Sequence, residues 1–313
     1  MNVLSLLQRA GTSLDLSAWR PRIATRPFRL AAAFVLAGAP LFAAAANGPI
    51  TIVAAENFYG DIASQLGGQH VHVDSILRNP DQDPHLFEAS ASIARALRGA
   101  QLVIYNGIGY DTWMERLLAA TQGDGRKTLV AARLLHKRDG DNPHLWYDPA
   151  AMPMIARAIS AELERIDPAD AAEYRQRLHD VLAALEGVND KVRSMRRRYA
   201  GTPVTATEPV FGYMAAALGF QMRDARFQLA VMNDAEPSAR DIAAFENGLK
   251  TAQVKILFYN RQVVNPAAAR AERIAQQHGV PIVGVTETEP PGRHYQDWML
   301  DQLAATARAL SRR

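Results

Sequence analysis

The sequence contains no cysteine among its 313 residues. A disulfide framework, cysteine nucleophiles and a lipid on an N-terminal cysteine are therefore excluded. No uninterrupted apolar run reaches the ~20 residues that a membrane-spanning helix needs. The chain also lacks the sequences His-Glu-x-x-His and Gly-x-Ser-x-Gly, which mark zinc proteases and serine hydrolases. The composition, with 48% hydrophobic and 21% charged residues, is that of a globular protein.

The first 46 residues have the pattern of an export signal. An apolar run, Leu30–Phe42, is preceded by arginines and followed by the small residues Ala43–Ala46. We predict cleavage near Ala46, because the apolar run is too short for the alternative, a membrane anchor. The segment holds five Arg and one Asp, so without it the formal net charge changes from +3 to −1. The basic balance therefore does not indicate a nucleic-acid partner, and we expect a soluble periplasmic protein that is not a lipoprotein.

Short apolar runs alternate with helical patterns along the rest of the chain, which is typical of βα units around parallel sheets. We predict an α/β fold with two lobes, each a small, mostly parallel sheet flanked by helices, over residues 47–166 and 201–313. The predicted strands are Ile50–Val53, Val71–Ile76, Leu102–Tyr105, Thr128–Ala131, Pro203–Thr207, Lys255–Tyr259 and Ile282–Val285. The predicted helices are Phe58–Leu66, Ser90–Leu97, Thr112–Ala119, Phe211–Leu218, Ser238–Leu249, Pro266–His278 and Tyr295–Leu310.

A long rigid helix is predicted between the lobes, within residues 167–200. Apolar residues recur there at alternating steps of four and three: Tyr174, Leu178, Val181, Leu185, Val188, Val192, Met195 and Tyr199. Asp167 suits the N-cap, Pro168 the first helical position and Gly201 the C-terminal stop. A helix from Pro168 to Ala200 would be roughly 50 Å long. The apolar stripe would pack against the lobes, or alternatively form a coiled-coil seam between two copies.

Two segments each place a histidine directly after a proline: Asp83-Pro84-His85-Leu86-Phe87-Glu88 and Asn142-Pro143-His144-Leu145-Trp146. Proline restricts the backbone beside each imidazole, and metal coordination benefits from ligands that are fixed in advance. A lone histidine is more often structural. Two histidines in matching contexts, however, favour a metal site as strongly as a structural role.

Acidic residues follow two predicted strands of the second half. Glu208 comes after the strand that ends at Thr207, at the sheet edge where open α/β folds place ligands. A carboxylate capping the next helix is the simpler interpretation of Glu208 alone. Glu287 and Glu289 follow the last strand, where solvated loop acids are the common explanation.

Taken together, these segments make the chain resemble the zinc-, manganese- and iron-binding substrate-binding proteins of ABC importers, from about Ile50 to Leu310. Further matching segments are Tyr105–Trp113, Phe211-Gly212-Tyr213 and Ala235-Glu236-Pro237-Ser238. The resemblance implies two α/β lobes joined by one long helix, a metal ion in the cleft and modest movement on binding.

By resemblance, His85 and His144 are the two histidine ligands of the first lobe. Glu208 occupies a third position that is His in zinc-type members and Glu in manganese- and iron-type members. Glu287 fits the fourth, carboxylate position, with Glu289 and Thr286 as alternatives. The His-rich loop that zinc-type members often carry is missing, since residues 123–142 include only His136. We interpret the other histidines, His70, His72, His179, His278 and His294, as structural.

Two histidines and two carboxylates form a harder donor set than three histidines and one carboxylate, which favours Mn²⁺ or Fe²⁺ over Zn²⁺, although Zn²⁺ can bind. We expect a monomer that captures one such ion and delivers it to an inner-membrane permease with its cytoplasmic ATPase. The alternative is a metal-dependent periplasmic hydrolase that uses the same cluster. A fourth protein ligand disfavours it, since catalytic sites keep an open position.

Overall fold

The chain folds around two four-stranded parallel sheets in this computed structural model, which describes residues 48–81, 84, 87–121, 125–263 and 265–311. The predicted export signal lies outside these residues. The strands are β1 (Ile50–Glu56), β2 (Val71–Leu77), β3 (Leu102–Tyr105), β4 (Lys127–Val130), β5 (Pro203–Ala206), β6 (Gln221–Met222), β7 (Leu257–Asn260) and β8 (Ile282–Val285). Their orders, β2-β1-β3-β4 and β6-β5-β7-β8, repeat the same topology. The predicted fold class, two lobes with parallel sheets flanked by helices, is confirmed.

Helices cover the sheets of both lobes. Their bounds are α1 (Asn57–Gly67), α2 (Ala91–Gly99), α3 (Thr112–Ala120), α4 (Ala131–Leu134), α5 (Ala151–Ile166), α6 (Ala171–Tyr199), α7 (Gly212–Ala217), α8 (Ala225–Met232), α9 (Ala239–Lys250), α10 (Pro266–Gln277) and α11 (Tyr295–Ser311). Single 3-10 turns occur at Gly68–His70, Leu145–Tyr147 and Pro209–Phe211. Within the described ranges, no helix has both the length and the apolar character to cross a membrane.

The long helix α6 has 29 residues, which corresponds to about 44 Å. Its start differs from the prediction: Asp167 ends α5 and accepts a hydrogen bond from the Tyr174 hydroxyl at 2.9 Å, so neither Asp167 nor Pro168 begins α6. The residue at the N-cap is Asp170. Gly201, with φ +79°, follows the helix as predicted, because a left-handed residue without Cβ ends a helix at low cost.

The apolar stripe of α6 packs inside the molecule. Tyr174, Val181, Leu185, Val188, Val192 and Met195 are buried, and Leu178 and Tyr199 pack partly buried against the same core. The helix contacts α1 and α5 of the first lobe and α11 of the second. One face of α6 therefore serves both lobes, and the alternative of a seam between two copies is wrong.

Aromatic side chains and hydrogen bonds join the lobes directly. The Tyr147 hydroxyl donates to the Thr286 carbonyl at 2.9 Å, and the Tyr295 hydroxyl donates to the Trp146 carbonyl at 2.5 Å. The Tyr147 ring packs edge-on against Phe211. Because hydroxyl groups inside a low-dielectric core need partners, these bonds fix how the chain segments on either side approach one another.

Candidate metal site

The buried polar residues of both lobes gather where parallel strands end. Asn106 follows β3, Glu208 follows β5 by two residues, Asn260 is the last residue of β7, and Glu287 follows β8 by two residues. All four side chains are at most 2% exposed. This is the sheet edge at which open α/β folds bind ligands, so the topology brings together residues that are distant in sequence.

His144 is fully buried on the loop between α4 and the turn Leu145–Tyr147, and two asparagines hold that loop. Asn106 Nδ2 donates to the Pro143 carbonyl at 2.9 Å. Asn142 Oδ1 accepts the His144 backbone N–H at 3.1 Å and lies 2.6 Å from His144 Nδ1. Because a carboxamide oxygen only accepts, Nδ1 carries a proton, and in the neutral imidazole the lone pair is on Nε2. Nε2 is the nitrogen that faces Glu287, with 3.4 Å between it and Glu287 Oε2.

Glu208 stands directly before the turn Pro209–Phe211 but makes no capping hydrogen bond to it. Its Oε2 instead accepts a hydrogen bond from Asn260 Nδ2 at 2.7 Å. The side chain is 2% exposed. The capping interpretation of this carboxylate is therefore wrong, since the side chain is directed at Asn260 and not at the turn.

Glu287 is fully buried, so the interpretation as a solvated loop acid is wrong for it. Its Oε1 accepts from Asn260 Nδ2 at 2.6 Å. The loop that carries it is held by Gln262, whose Oε1 accepts the backbone N–H groups of Glu287 and Thr288 at 2.5 and 3.2 Å. These bonds to main chain and side chain fix the position of the carboxylate.

The two alternatives to Glu287 face elsewhere. Thr286 Oγ1 donates to the Thr288 carbonyl at 3.0 Å, within its own loop. Glu289 is 5% exposed, and burial, with the nearby charges of Asp61 and Asp297, raises its pKa to about 9. A carboxyl held in its neutral form at neutral pH is a poor metal ligand, because metals bind the carboxylate.

The structure thus places His144 beside Glu287 and links Glu208 to Glu287 through Asn260, so three of the four residues predicted as ligands lie around the same strand ends. His85 lies outside the described residues. Its neighbours Pro84 and Phe87 are described, and the Phe87 N–H donates to the Pro84 carbonyl at 3.4 Å.

Buried hydroxyl and carboxyl groups surround the cluster on the side of the first lobe. Burial, followed by the charge of Glu287, raises the pKa of Tyr110 well above its ordinary value, and the two side chains are hydrogen bonded. Tyr110 therefore remains a hydroxyl that donates toward the carboxylate. Asp111 accepts the backbone N–H groups of Asn106 and Gly107 at 2.6 and 2.8 Å, and burial raises its pKa to about 6.

A second group with metal-ligating side chains lies at the start of α6. His70 Nδ1 is 2.9 Å from Asp170 Oδ2, and His70 Nε2 is 3.1 Å from Glu173 Oε2. Arg177 is 3.9 Å from the same Glu173 oxygen. Because both ring nitrogens and a neighbouring cation already face these acids, the group connects β2 to α6, in keeping with the structural interpretation of His70.

Sequence reasoning missed the residues that hold the cluster, namely Asn142, Asn260 and Gln262. Asn142 belongs to the Asn-Pro-His segment, but nothing in that segment separates its amide from a simple loop residue. Asn260 ends a strand at the same edge as Glu208, and that position is the signal that could have found it.

Two lobes with parallel sheets, one bridging helix and a buried His–carboxylate cluster at the strand ends define the metal-binding substrate-binding proteins of ABC importers. The chain belongs to the family of the periplasmic component A of the zinc-uptake complex, since the family's sequence model matches residues 52–309.

Individual relatives carry the names of different metals. The zinc-binding protein TroA of Treponema pallidum is 25% identical over 255 residues, which cover 77% of this chain and 80% of TroA. The manganese-binding lipoprotein MntA of Bacillus subtilis is 25% identical over 250 residues, which cover 75% of this chain and 79% of MntA. The structure of periplasmic TroA superimposes with a TM-score of 0.71 at 20% identity and covers 85% of this chain and all of TroA. The family and fold are thus shared by proteins named for zinc and for manganese.

Proposed function

We propose that this protein captures one divalent transition-metal ion between its lobes and delivers it to the permease and ATPase of an ABC importer. The ligands are His144 and Glu208, together with Glu287 and His85. The observation that carries the proposal is the buried approach of His144 Nε2 to Glu287 Oε2 at 3.4 Å, with Glu208 joined to the same carboxylate through Asn260. Buried carboxylates and a buried imidazole lone pair are costly together unless a cation joins them.

In this proposal, the metal preference follows from the chemical types of the four ligands. Two imidazoles and two carboxylates favour Mn²⁺ or Fe²⁺ in the cell, although Zn²⁺ binds such ligands more tightly in vitro. Because the ligands must be deprotonated, acid should release the ion. The metal content of protein isolated from cells grown with all three metals tests the preference. Zinc in every preparation would contradict it.

Calorimetry with Zn²⁺ and Mn²⁺ tests the ligand assignment. We expect His85→Ala, His144→Ala and Glu208→Ala each to weaken binding at least about 100-fold, which exceeds the 10- to 100-fold loss typical of residues outside the ligand set. His179→Ala is the matched control, because His179 lies exposed on α6. Unchanged stoichiometry and affinity in the ligand variants would refute the assignment. Ion-dependent turnover of a small ester or amide would instead support a hydrolase.

We further propose that residues 1–46 direct export, that the mature protein is soluble in the periplasm, and that it acts as a monomer. Burial of the α6 stripe within one chain supports the monomer, because it leaves that stripe no face for a partner. N-terminal sequencing of the exported protein and light scattering test these points. A mature terminus that retains the arginines, or a dimer mass, would contradict them.

A further inference from the structure

The side chain of Asn260 lies between the two buried carboxylates of the candidate site. Its Nδ2 is 2.7 Å from Glu208 Oε2 and 2.6 Å from Glu287 Oε1. Its Oδ1 accepts the Gln262 backbone N–H at 3.1 Å, and its own backbone N–H donates to Thr207 Oγ1 at 3.1 Å. A backbone N–H on the oxygen and acids on the nitrogen fix the amide in one orientation. Asn260 is therefore a fixed donor to both acids.

The amide makes the two oxygens of each carboxylate different, because it donates a hydrogen bond to only one of them. One oxygen of Glu208 and one of Glu287 accept from the amide. The second oxygen of Glu287 faces His144 Nε2 at 3.4 Å. A carboxylate that binds an ion through both oxygens must release a donor that occupies one of them. The amide thus opposes two-oxygen coordination by either acid.

We propose that Asn260 is a positioning residue that shifts the metal preference toward zinc, by holding Glu208 and Glu287 as ligands that each offer one oxygen. The inference rests on the ligand roles proposed above. Two imidazole nitrogens and two carboxylate oxygens make four donor atoms, the number that Zn²⁺ takes in tetrahedral sites. Mn²⁺ favours six donors in octahedral geometry and gains from carboxylates that supply both oxygens. Asn260 therefore opposes the preference for manganese that the carboxylates themselves create.

Gln262 forms hydrogen bonds with the loop that carries Glu287 and not with the carboxylates. It accepts the backbone N–H groups of Glu287 and Thr288 and donates to Thr288 Oγ1 at 2.9 Å. It holds the loop and does not compete for the carboxylate oxygens. Effects on metal preference are accordingly expected from Asn260 and not from Gln262.

Zinc and manganese affinities of Asn260→Ala test the inference, measured by calorimetry on the full protein with a competing chelator. We expect Zn²⁺ binding to weaken about 10- to 100-fold, the usual effect of losing a group that orients a ligand. Mn²⁺ binding should weaken less, so the zinc-to-manganese affinity ratio falls by about tenfold. X-ray absorption should show more oxygen neighbours around bound Mn²⁺ than in the wild type. Asn247→Ala, at an exposed position of α9, is the matched control.

Asn260→Leu is the second variant, because it retains the size of the side chain but loses the donor without adding a charge, and it should lower the same ratio. Equal losses for both metals, an unchanged ratio or an unchanged count of oxygen neighbours would overturn the inference. Glu208→Gln and Glu287→Gln are measured in parallel. Full affinity in those two variants would refute the ligand assignment, whereas loss there with a wild-type ratio in the Asn260 variants refutes only the inference.

Discussion

His144 and Glu287 belong to opposite lobes, yet their buried side chains meet with 3.4 Å between Nε2 and Oε2. Each is held by its own lobe, His144 through Asn142 and Glu287 through Asn260 and Gln262. At this pair, a nitrogen from one lobe and a carboxylate oxygen from the other therefore face the same space and can contact the same ion.

Replacement of Glu287 or Glu289 by Gln should separate the two candidates for the fourth ligand. Glu287→Gln is expected to weaken Mn²⁺ and Zn²⁺ binding at least about 100-fold, because it removes a charged ligand. Glu289→Gln should leave affinity within about threefold, since burial already keeps this carboxyl neutral near pH 7. Calorimetry on both variants checks this expectation, and the reverse order of losses would assign Glu289 as the ligand.

Asn142→Ala should weaken metal binding by about 10- to 100-fold. Asn142 fixes the His144 tautomer through Nδ1 and donates to the Pro209 carbonyl, next to Glu208, at 2.7 Å. Its loss leaves the imidazole free to rotate and to place its proton on Nε2. Asn189→Ala, in the middle of α6 and hydrogen bonded to Glu186, should have no effect on affinity. Equal affinities of wild type and Asn142→Ala in calorimetry would show that Asn142 is not required to fix the His144 tautomer.

Gly187→Ala should stabilise the protein by roughly 0.5–1 kcal/mol, because glycine within a helix loses more backbone entropy on folding than alanine. Gly187 lies within α6, and a Cβ added there meets nothing within 4 Å. Gly60→Ala is the opposing control, since its Cβ would lie 2.0 Å from Ser75 Oγ across the α1–β2 contact. Urea unfolding at pH 7 measures both, and a destabilised Gly187→Ala would mean that the helix is not regular at this point.

Glu246→Gln should lower the free energy of unfolding by about 2 kcal/mol at pH 7. Hydrogen bonds from Arg270 and then Lys250 lower the pKa of Glu246 from its usual 4.5 to about 2. Between these values the unfolded chain binds the proton more tightly, so stability rises with pH. The contribution is present above pH 4.5 and disappears as the pH falls through about 2.

Urea unfolding of wild type and Glu246→Gln at pH 7, 4 and 2.5 checks that dependence. The difference between them should shrink with acid. A difference that stays constant over this range would attribute the effect to packing. Glu236→Gln, at an exposed position, should match the wild type throughout.

The sequence predicted the elements whose pattern is long or sharply bounded. Among the eight strands that the described residues form, seven follow directly from apolar runs, and α6 follows from the helical spacing of its stripe. The eighth strand, β6, has only two residues, too short for any alternation to register. Helix α5 was missed although Met152, Ile155, Ile159 and Leu163 show helical spacing, because Pro153 near its start suggests a break.

The parts of the candidate site that could be predicted are the residues whose side chains are themselves common metal ligands. His144, Glu208 and Glu287 are metal-ligand types that follow a proline or a strand. Asn260 and Gln262 act through amide hydrogen bonds whose partners come from other loops. Their roles depend on tertiary distances, which one sequence without its fold does not contain. The start of α6 was misplaced for a similar reason, since Asp167 serves the preceding helix.

One hydrophobic cluster includes β1, β3, β5 and β7 together with α6 and α11, whereas α8, α9 and α10 enclose a smaller cluster of their own. The strands that end at the candidate site therefore pack into one hydrophobic core, although they belong to different sheets, and we expect that core to unfold as one unit. An ion bound there would slow amide hydrogen exchange in both sheets by the same factor, since both are exposed only when that unit unfolds. The helices around the smaller cluster should exchange faster and respond less to a bound ion, except where they pack on β7 through Leu257.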